Sequence, residues 1–143
     1  MNESSLADRP RIANATPVGG EYALQTAEQA YRRILTDQPR NFRALCALAV
    51  VRCERGDVDE ARGLIGRAAD VAGQSADDHV LLGTSYIRIG ELERAHLHFE
   101  TAVALDERNA KARFHLANVL CAKDNFADAL LHYERALAIT DYH

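Results

Sequence analysis

The sequence predicts an all-α fold built from stacked helical hairpins, and three observations support this prediction. Residues of similar size return every 34 positions, so that the stretch LGTSYIRIGELERAHLHF at 82–99 has counterparts on both sides in the chain. Ala, a strong helix former, is used heavily, whereas strand-favouring Val, Ile and Thr are scattered and Trp is absent. Asn41, Ser75 and Asn109 lie 34 residues apart, each just before a run with apolar residues at helical spacing.

The first twenty residues differ from the rest of the chain. They combine Pro10, Pro17, Gly19 and Gly20 with polar residues and have no sustained hydrophobic period, which predicts a flexible tail over 1–20. From Glu21 onward the helical pattern is nearly continuous. It predicts helices at about 21–36, 42–55, 58–72, 76–89, 92–105, 110–123 and 126–140.

Each pair of predicted helices has start signals and a short connection. Asn41, Ser75 and Asn109 can each accept a hydrogen bond from an unpaired amide in the first helical turn, and Asp57 can do the same one helix later. The connections within the pairs are RGD at 55–57, IGE at 89–91 and KDN at 123–125. Such short connections force neighbouring helices to be antiparallel, so the repeating unit is a helical hairpin.

The second hairpin carries a known repeat signature. The signature has Leu-Gly, then Tyr, Ala and Phe, and the chain matches it with Leu82, Gly83, Tyr86, Ala95 and Phe99. On these residues the chain resembles tetratricopeptide repeat proteins. The resemblance implies a right-handed superhelical solenoid with a concave groove, in which stacked hairpins bury a continuous core. It divides the chain into a half-repeat at 21–41 and full repeats at 42–75, 76–109 and 110–143.

Two signature positions are changed in this chain. The signature Trp is replaced by Leu45, His79 and Arg113 in the three repeats. The signature Tyr is replaced by Arg52 in the first repeat and by Leu120 in the third. A guanidinium on a buried face needs a partner or a route to water, so Arg52 must find one.

Composition and charge exclude several classes of protein. The chain has 143 residues, 48% of them hydrophobic and 27% charged, as is ordinary for a globular domain. Its net charge is -4, and no segment forms a basic stripe, so we expect no binding to nucleic acid. No apolar run is long enough for a signal peptide or for a membrane span of roughly 18 residues, so we expect a cytoplasmic protein without a membrane partner.

Common catalytic and metal-binding patterns are missing from the sequence. It contains no Gly-rich phosphate loop, no HExxH and no GxSxG, so we predict no catalytic residues, no cofactor and no enzymatic activity. Cys46 and Cys53 lie too far apart on one helix to form a disulfide, and with Cys121 they show no metal-ligand spacing, so we interpret the three as small hydrophobic residues. His98 and His132 are expected on the outer face in contact with solvent, and we predict no metal site.

The family resemblance also implies where a partner binds. In tetratricopeptide proteins the face of each first helix that points away from the core lines the groove, and carrying this face along the 34-residue interval predicts twelve groove residues. They are Arg43, Cys46, Val50, Cys53, Asp77, Val80, Thr84, Ile87, Lys111, Phe114, Asn118 and Cys121. Apolar residues among polar ones suggest a surface for a peptide or helix of a protein partner. In the alternative interpretation, the Val and Cys residues pack against the next repeat or the chain's own tail.

One subfamily can be tested on these positions. Tetratricopeptide co-chaperones that hold the carboxylate tail of heat-shock chaperones are similar to one another in using Lys and Asn on the groove helices. The corresponding positions here are Cys46, Val50 and Leu81, and only Lys111 and His115 could act as donors. We therefore predict that this carboxylate clamp is absent.

The C-terminal end of the predicted solenoid suggests self-association. Leu137 and Ile139 have no following helix to cover them, whereas repeat proteins generally need a polar terminal cap. We expect a second copy of the chain to cover this end, in preference to downstream sequence. Two further alternatives stay open for the function: the repeat domain of a larger bacterial glycosyltransferase-like or sulfotransferase-like enzyme, and a small chaperone of the type III secretion kind.

Overall fold

The computed structural model describes residues 15–141, with side chains from Gly20 onward. This part of the chain forms seven α-helices and no strand, which confirms the predicted all-α fold. The helices are α1 (Ala15–Asp37), α2 (Phe42–Glu54), α3 (Val58–Val71), α4 (Ala76–Arg88), α5 (Leu92–Leu105), α6 (Ala110–Ala122) and α7 (Phe126–Thr140).

The first helix begins earlier than the sequence predicts. It starts at Ala15, six residues before Glu21, so the predicted tail is too long at its C-terminal end. Pro17 falls in the first turn of the helix, where the N–H that proline lacks would have no helical acceptor, and proline is therefore tolerated there. The remainder of the predicted tail, residues 1–14, lies outside the described residues.

Local hydrogen bonds fix the helix starts where the sequence predicts them. The side chain of Asn41 accepts a hydrogen bond from the Ala44 amide at 2.9 Å, and three other caps form in the same way. These caps are Ser75 with the Asp78 amide at 3.3 Å, Asp57 with the Glu60 amide at 3.1 Å and Asn109 with the Ala112 amide at 2.9 Å.

Packing between the helices produces a curved stack. Within each hairpin, α2 packs on α3, α4 on α5 and α6 on α7, and α1 packs on α2 as an additional helix. The first helices of successive hairpins, α2, α4 and α6, also contact one another side by side. Within the described residues, the second helices α3, α5 and α7 do not contact one another. The first helices therefore form the concave layer and the second helices form the convex layer.

The core repeats a pairing of one small and one large residue. Gly83 on α4 lies against the ring of Phe99 on α5, and a methyl group added at Gly83 would come within 2.4 Å of that ring. At the same periodic positions the chain has Ala49 with Ile65, and Ala117 with Tyr133. The small residue allows the two helices of a hairpin to approach closely, and the large one fills the space between them.

Arg52, at the position of the signature Tyr, finds the partners that its burial requires. Its Nη1 donates to Glu28 at 3.1 Å and its Nη2 donates to Asp57 at 2.8 Å. Its Nε lies 2.9 Å from a Glu60 oxygen, close enough for an ion pair but without hydrogen-bond geometry. The hydrogen bond from Arg52 also lowers the pKa of the Asp57 carboxyl. A charge cluster therefore replaces the aromatic contact of the signature.

The expectation that His98 and His132 stand in solvent is wrong. Both are half-buried between the two helices of a hairpin. His98 stacks on Tyr86, and its Nδ1 lies 3.1 Å from Nδ1 of His79. The Nδ1 of His132 lies 3.2 Å from a guanidinium nitrogen of Arg113, which is itself buried. The residues that replace the signature Trp in the second and third repeats thus contact histidines 19 positions later.

Candidate functional site

Side chains from all three first helices meet in the middle of the concave layer. They surround an open concavity of about 390 Å³. Its polar lining comes from Arg43 on α2, Asp77 and Thr84 on α4, and Lys111 and His115 on α6. A single bound segment can therefore contact three consecutive repeats at this point.

The charges in this central concavity are mixed. Burial, together with the nearby Lys111, lowers the pKa of His115, so its imidazole is neutral near physiological pH. Asp77 accepts a hydrogen bond from the side-chain amide of Asn109 at 3.1 Å, which holds the carboxylate at the edge of the site. Arg43 and Lys111 are the cationic side chains that line the concavity, and Asp77 is the acidic one.

The concave layer continues on either side of this polar centre. Toward α1, a larger and mainly apolar concavity of about 850 Å³ is lined by residues that include Tyr31, Ile34, Phe42 and Val50. Toward the other side, a smaller concavity of about 290 Å³ is lined by residues that include Ile87 and Asn118. The groove thus has apolar contacts beside a polar middle.

The twelve predicted groove residues differ in how accessible they are. Six are exposed: Arg43, Asp77, Ile87, Lys111, Phe114 and Asn118. Four are half-buried: Val50, Cys53, Thr84 and Cys121. Two are buried: Cys46 and Val80.

Cys46 and Val80 contribute to packing more than to the groove surface. Their exposed fractions are 1% and 6%. Burial, together with the negative charge of Asp78 on α4, raises the pKa of the Cys46 thiol to about 12, so the thiol stays protonated. These two residues follow the alternative interpretation, in which this face of the first helix packs against the neighbouring repeat.

Phe114 lies at the C-terminal end of the predicted groove, outside the central concavity. It occupies the same periodic position as Cys46 and Val80, but it is 49% exposed because no further hairpin packs on α6 among the described residues. It lines an open concavity of about 460 Å³ at the C-terminal end, together with Tyr133 and Leu137. The ring centroids of Phe114 and Tyr133 are 5.6 Å apart in an edge contact. The structure therefore groups Phe114 with a residue predicted for self-association.

The other residue predicted for self-association, Ile139, is half-buried and does not line this end concavity. Its neighbour Leu137 is 63% exposed. The two residues predicted for self-association therefore differ in exposure, and Leu137 is the more accessible of the two.

Two of the cysteines take part in local contacts. The thiol of Cys53 donates to the Arg88 carbonyl at 3.6 Å, and the sulfur of Cys121 lies 3.8 Å from the Tyr133 hydroxyl. That hydroxyl donates in turn to the side-chain oxygen of Asn118. These contacts assign the thiols to packing between helices.

The groove is also lined by residues outside the predicted twelve. Tyr31 and Ile34 come from α1, which the sequence treats only as a half-repeat. Leu81 and His115 lie one position after Val80 and Phe114, at the same 34-residue interval. The 34-residue interval relates Leu81 to His115 in the sequence. Helical geometry alone, however, does not tell which residues of a first helix line the groove and which contact the next repeat.

The described residues contain no group of three or more His, Cys, Asp or Glu side chains placed to hold a metal ion. None of the helices they form is both long enough and apolar enough to cross a bilayer.

A stack of antiparallel hairpins in a 34-residue register, with a concave layer of first helices, defines a helical repeat protein. The tetratricopeptide repeat model matches residues 24–77 and 80–143. The chain therefore belongs to the tetratricopeptide repeat family.

Comparison with known proteins supports the same fold. Anaphase-promoting complex subunit 3 of Schizosaccharomyces pombe is 26% identical over 115 residues, which cover 80% of this chain and 17% of that protein. MamA of Desulfovibrio magneticus RS-1 superposes with a TM-score of 0.71 at 21% identity, over 88% of this chain and 71% of that one. A chain of the APC/C hetero-tetramer Cut9–Hcn1 superposes with a TM-score of 0.66 at 19% identity, over 82% of this chain and 22% of that one. The chain thus spans about one sixth of the length of the curated relative.

Proposed function

We propose that the chain is a non-catalytic interaction module that binds a peptide or helix of a protein partner along α2, α4 and α6. The observation that carries this proposal is the central concavity, where Arg43, Thr84 and Lys111 from three different repeats line one surface. A bound segment gains polar contacts at this centre and apolar contacts beside it, a combination that suits peptide recognition.

The relatives are consistent with such a role. The name of the S. pombe relative describes a subunit of a complex, and this chain is similar to only 17% of it. Repeats of this kind therefore also occur as segments of longer proteins, which keeps the repeat domain of a larger enzyme as an alternative. In the type III chaperone alternative, the chain would bind its partner in the same groove, and only the kind of partner would differ from the proposal.

The experiment has two steps. First, the chain is immobilised, partners are captured from native lysate, and mass spectrometry identifies them. Second, titration calorimetry measures the affinity of a recovered partner for the wild type and for the variants Ile87→Glu and Arg43→Glu. Both residues are exposed, so the variants should fold normally. Each should weaken binding by about tenfold or more, the loss expected for a residue central to an interface.

Leu97→Glu provides the matched control. Leu97 is a 59% exposed leucine on the convex helix α5, so the change adds the same charge outside the groove and should leave the affinity unchanged. If Leu97→Glu weakens binding as much as Ile87→Glu, or if neither groove variant changes the affinity, the partner binds elsewhere and the proposal is wrong.

A further inference from the structure

One position of the repeat carries a charged residue in all three first helices. It is occupied by Arg43 in α2, Asp77 in α4 and Lys111 in α6, which lie 34 residues apart and are exposed. Each lies in the first turn of its helix, so the three follow one another across the same end of the concave layer. All three side chains line the central concavity. They form a charge row that is positive on α2 and α6 and negative on α4 between them.

The charges of this row are not neutralised within the described part of the chain. Among residues 15–141, none of the three forms an ion pair. Asp77 accepts a hydrogen bond from the neutral side-chain amide of Asn109 at 3.1 Å. Asp78, which lines the neighbouring apolar concavity, adds a second acidic side chain on α4. A bound segment can therefore pair with the charges of the row.

The spacing of the charge row matches one kind of backbone. Packed helices lie roughly 8 to 10 Å apart, so equivalent positions on α2, α4 and α6 recur at about that interval. A polyproline II helix has three residues per turn and rises about 3.1 Å per residue, so every third residue returns to the same side after about 9.3 Å. In a β-strand, residues on one side recur at about 6.6 or 13 Å, which does not match the row.

The size of the central concavity argues against an α-helix as the bound segment. Residues seven positions apart return to the same side of an α-helix after about 10.5 Å. Those two turns are roughly 10 Å across and occupy about 800 Å³. The central concavity holds about 390 Å³, which suits a narrower segment.

The apolar concavity beside the row suits the prolines of a polyproline II segment. It is lined by the half-buried aromatic side chains of Tyr31 and Phe42, and it shares Arg43 and Leu81 with the central concavity. Proline-rich segments commonly dock onto aromatic-lined grooves, and they lose little conformational entropy because their backbone is preformed. The two concavities therefore offer contacts for proline rings next to the charges.

On the basis of the function proposed above, we propose that the groove binds a polyproline II segment in which every third residue is charged, in the order acidic, basic, acidic. The acidic residues pair with Arg43 and Lys111, and the basic residue between them pairs with Asp77. Prolines beside the first acidic residue contact Tyr31 and Phe42. The charge row thus determines which segments the groove selects.

Synthetic peptides test this specificity on the full chain. The first probe is a proline peptide with Glu, Lys and Glu at every third position, acetylated and amidated so that its ends carry no charge. The second probe has Lys, Glu and Lys at the same positions. In titrations followed by heteronuclear NMR at low ionic strength, the first probe should bind about tenfold or more tightly than the second. Added salt should reduce this difference, because the pairs are exposed.

Reversal of the charge row should reverse the preference. The variant Arg43→Glu, Asp77→Lys, Lys111→Glu should bind the Lys-Glu-Lys probe about tenfold more tightly than the Glu-Lys-Glu probe. Two of its changes place acidic residues in first helical turns, where they are favourable, so circular dichroism should show unchanged helicity. Arg135→Glu is the matched control, because it changes the net charge by the same amount at an exposed position of the convex helix α7. This control should keep the wild-type preference.

Several results would overturn the proposal. Equal affinity of the wild type for the two probes, or no binding of either, means that the row does not select this segment, and this comparison does not depend on how the variant folds. Equal affinity for a probe with the same charges at every fourth position contradicts the spacing. Tighter binding of an α-helical probe with these charges at every seventh position contradicts the backbone. In each case, a recovered partner that loses affinity in Ile87→Glu still supports the proposed function, so the two failures are distinguishable.

Discussion

Replacing Gly83 with alanine tests the packing within the hairpins most directly. The added methyl group would lie 2.4, 2.6 and 2.7 Å from three carbon atoms of the Phe99 ring. That ring is 1% exposed and stacks on His115 with centroids 5.2 Å apart, so any shift of the ring disturbs the packing around it. Overpacking of a core costs about 1 to 3 kcal/mol, and contacts this short place the variant near the upper end.

Helix propensity opposes this cost. Alanine is better than glycine inside a helix by about 1 kcal/mol. The expected net loss in the free energy of unfolding is therefore about 2 kcal/mol, measured by urea denaturation followed by circular dichroism. Gly63→Ala is the matched control, since Gly63 lies inside α3 with no atom within 4 Å of an added methyl group, and this variant should be stabilised.

A second variant connects the effect to the contact itself. Gly83→Ala combined with Phe99→Ile reproduces the Ala49 and Ile65 pair of the first repeat. The double variant should be more stable than the sum of the two single changes indicates, by about 1 to 2 kcal/mol. Neutral or stabilising behaviour of Gly83→Ala alone would show that the glycine is not required for the approach of Phe99, and would refute this reasoning.

Three further predictions concern the polar residues between the helices. Arg52→Met should lower the free energy of unfolding by about 1 to 2 kcal/mol in urea titrations, because Glu28 and Asp57 lose a charged donor; Arg62→Met, at a more exposed ion pair, should have little effect. Burial and the nearby charges of His79 and Arg94 lower the pKa of His98, so the folded state binds fewer protons than the unfolded state, and stability that is complete above about pH 6.5 should fall as the pH drops below it. His79→Leu with His98→Leu should flatten this dependence in thermal melts, and an unchanged slope would exclude this pair as its source. Cys46, whose thiol pKa is raised to about 12, should be the slowest of the three thiols to react with iodoacetamide by intact-mass analysis, and fast labelling would contradict its burial.

The sequence predicted those parts of the fold that depend on local signals. Asn41 and Asn109 cap helices in the structure because the cap involves residues only three positions apart. The sequence places the start of α1 too late because Pro17, Gly19 and Gly20 are typical of a tail, although a proline in the first helical turn is favourable. Local signals therefore predict helix boundaries well where a residue type favours a single local structure, and less well where, like proline, it favours two.

The candidate site was harder to predict because it depends on how the helices are oriented relative to one another. Val80 and Thr84 lie on the same predicted face of α4, yet Val80 is buried and Thr84 is half-buried, because the roughly 40° between them around the helix separates the contact between repeats from the groove. The sequence predicts His98 in solvent because its contact with His79 comes from the other helix of the hairpin. No pattern within a single helix contains that information.

The arrangement of the two layers predicts how the stack of hairpins bends. α2, α4 and α6 touch one another, whereas α3, α5 and α7 are separated on the convex side. When the stack bends, the concave helices stay in contact with one another, and the distances between the convex helices change. Small changes in the angle between hairpins add along the stack, so the width of the groove can adjust to ligands of different thickness while each hairpin keeps its internal packing.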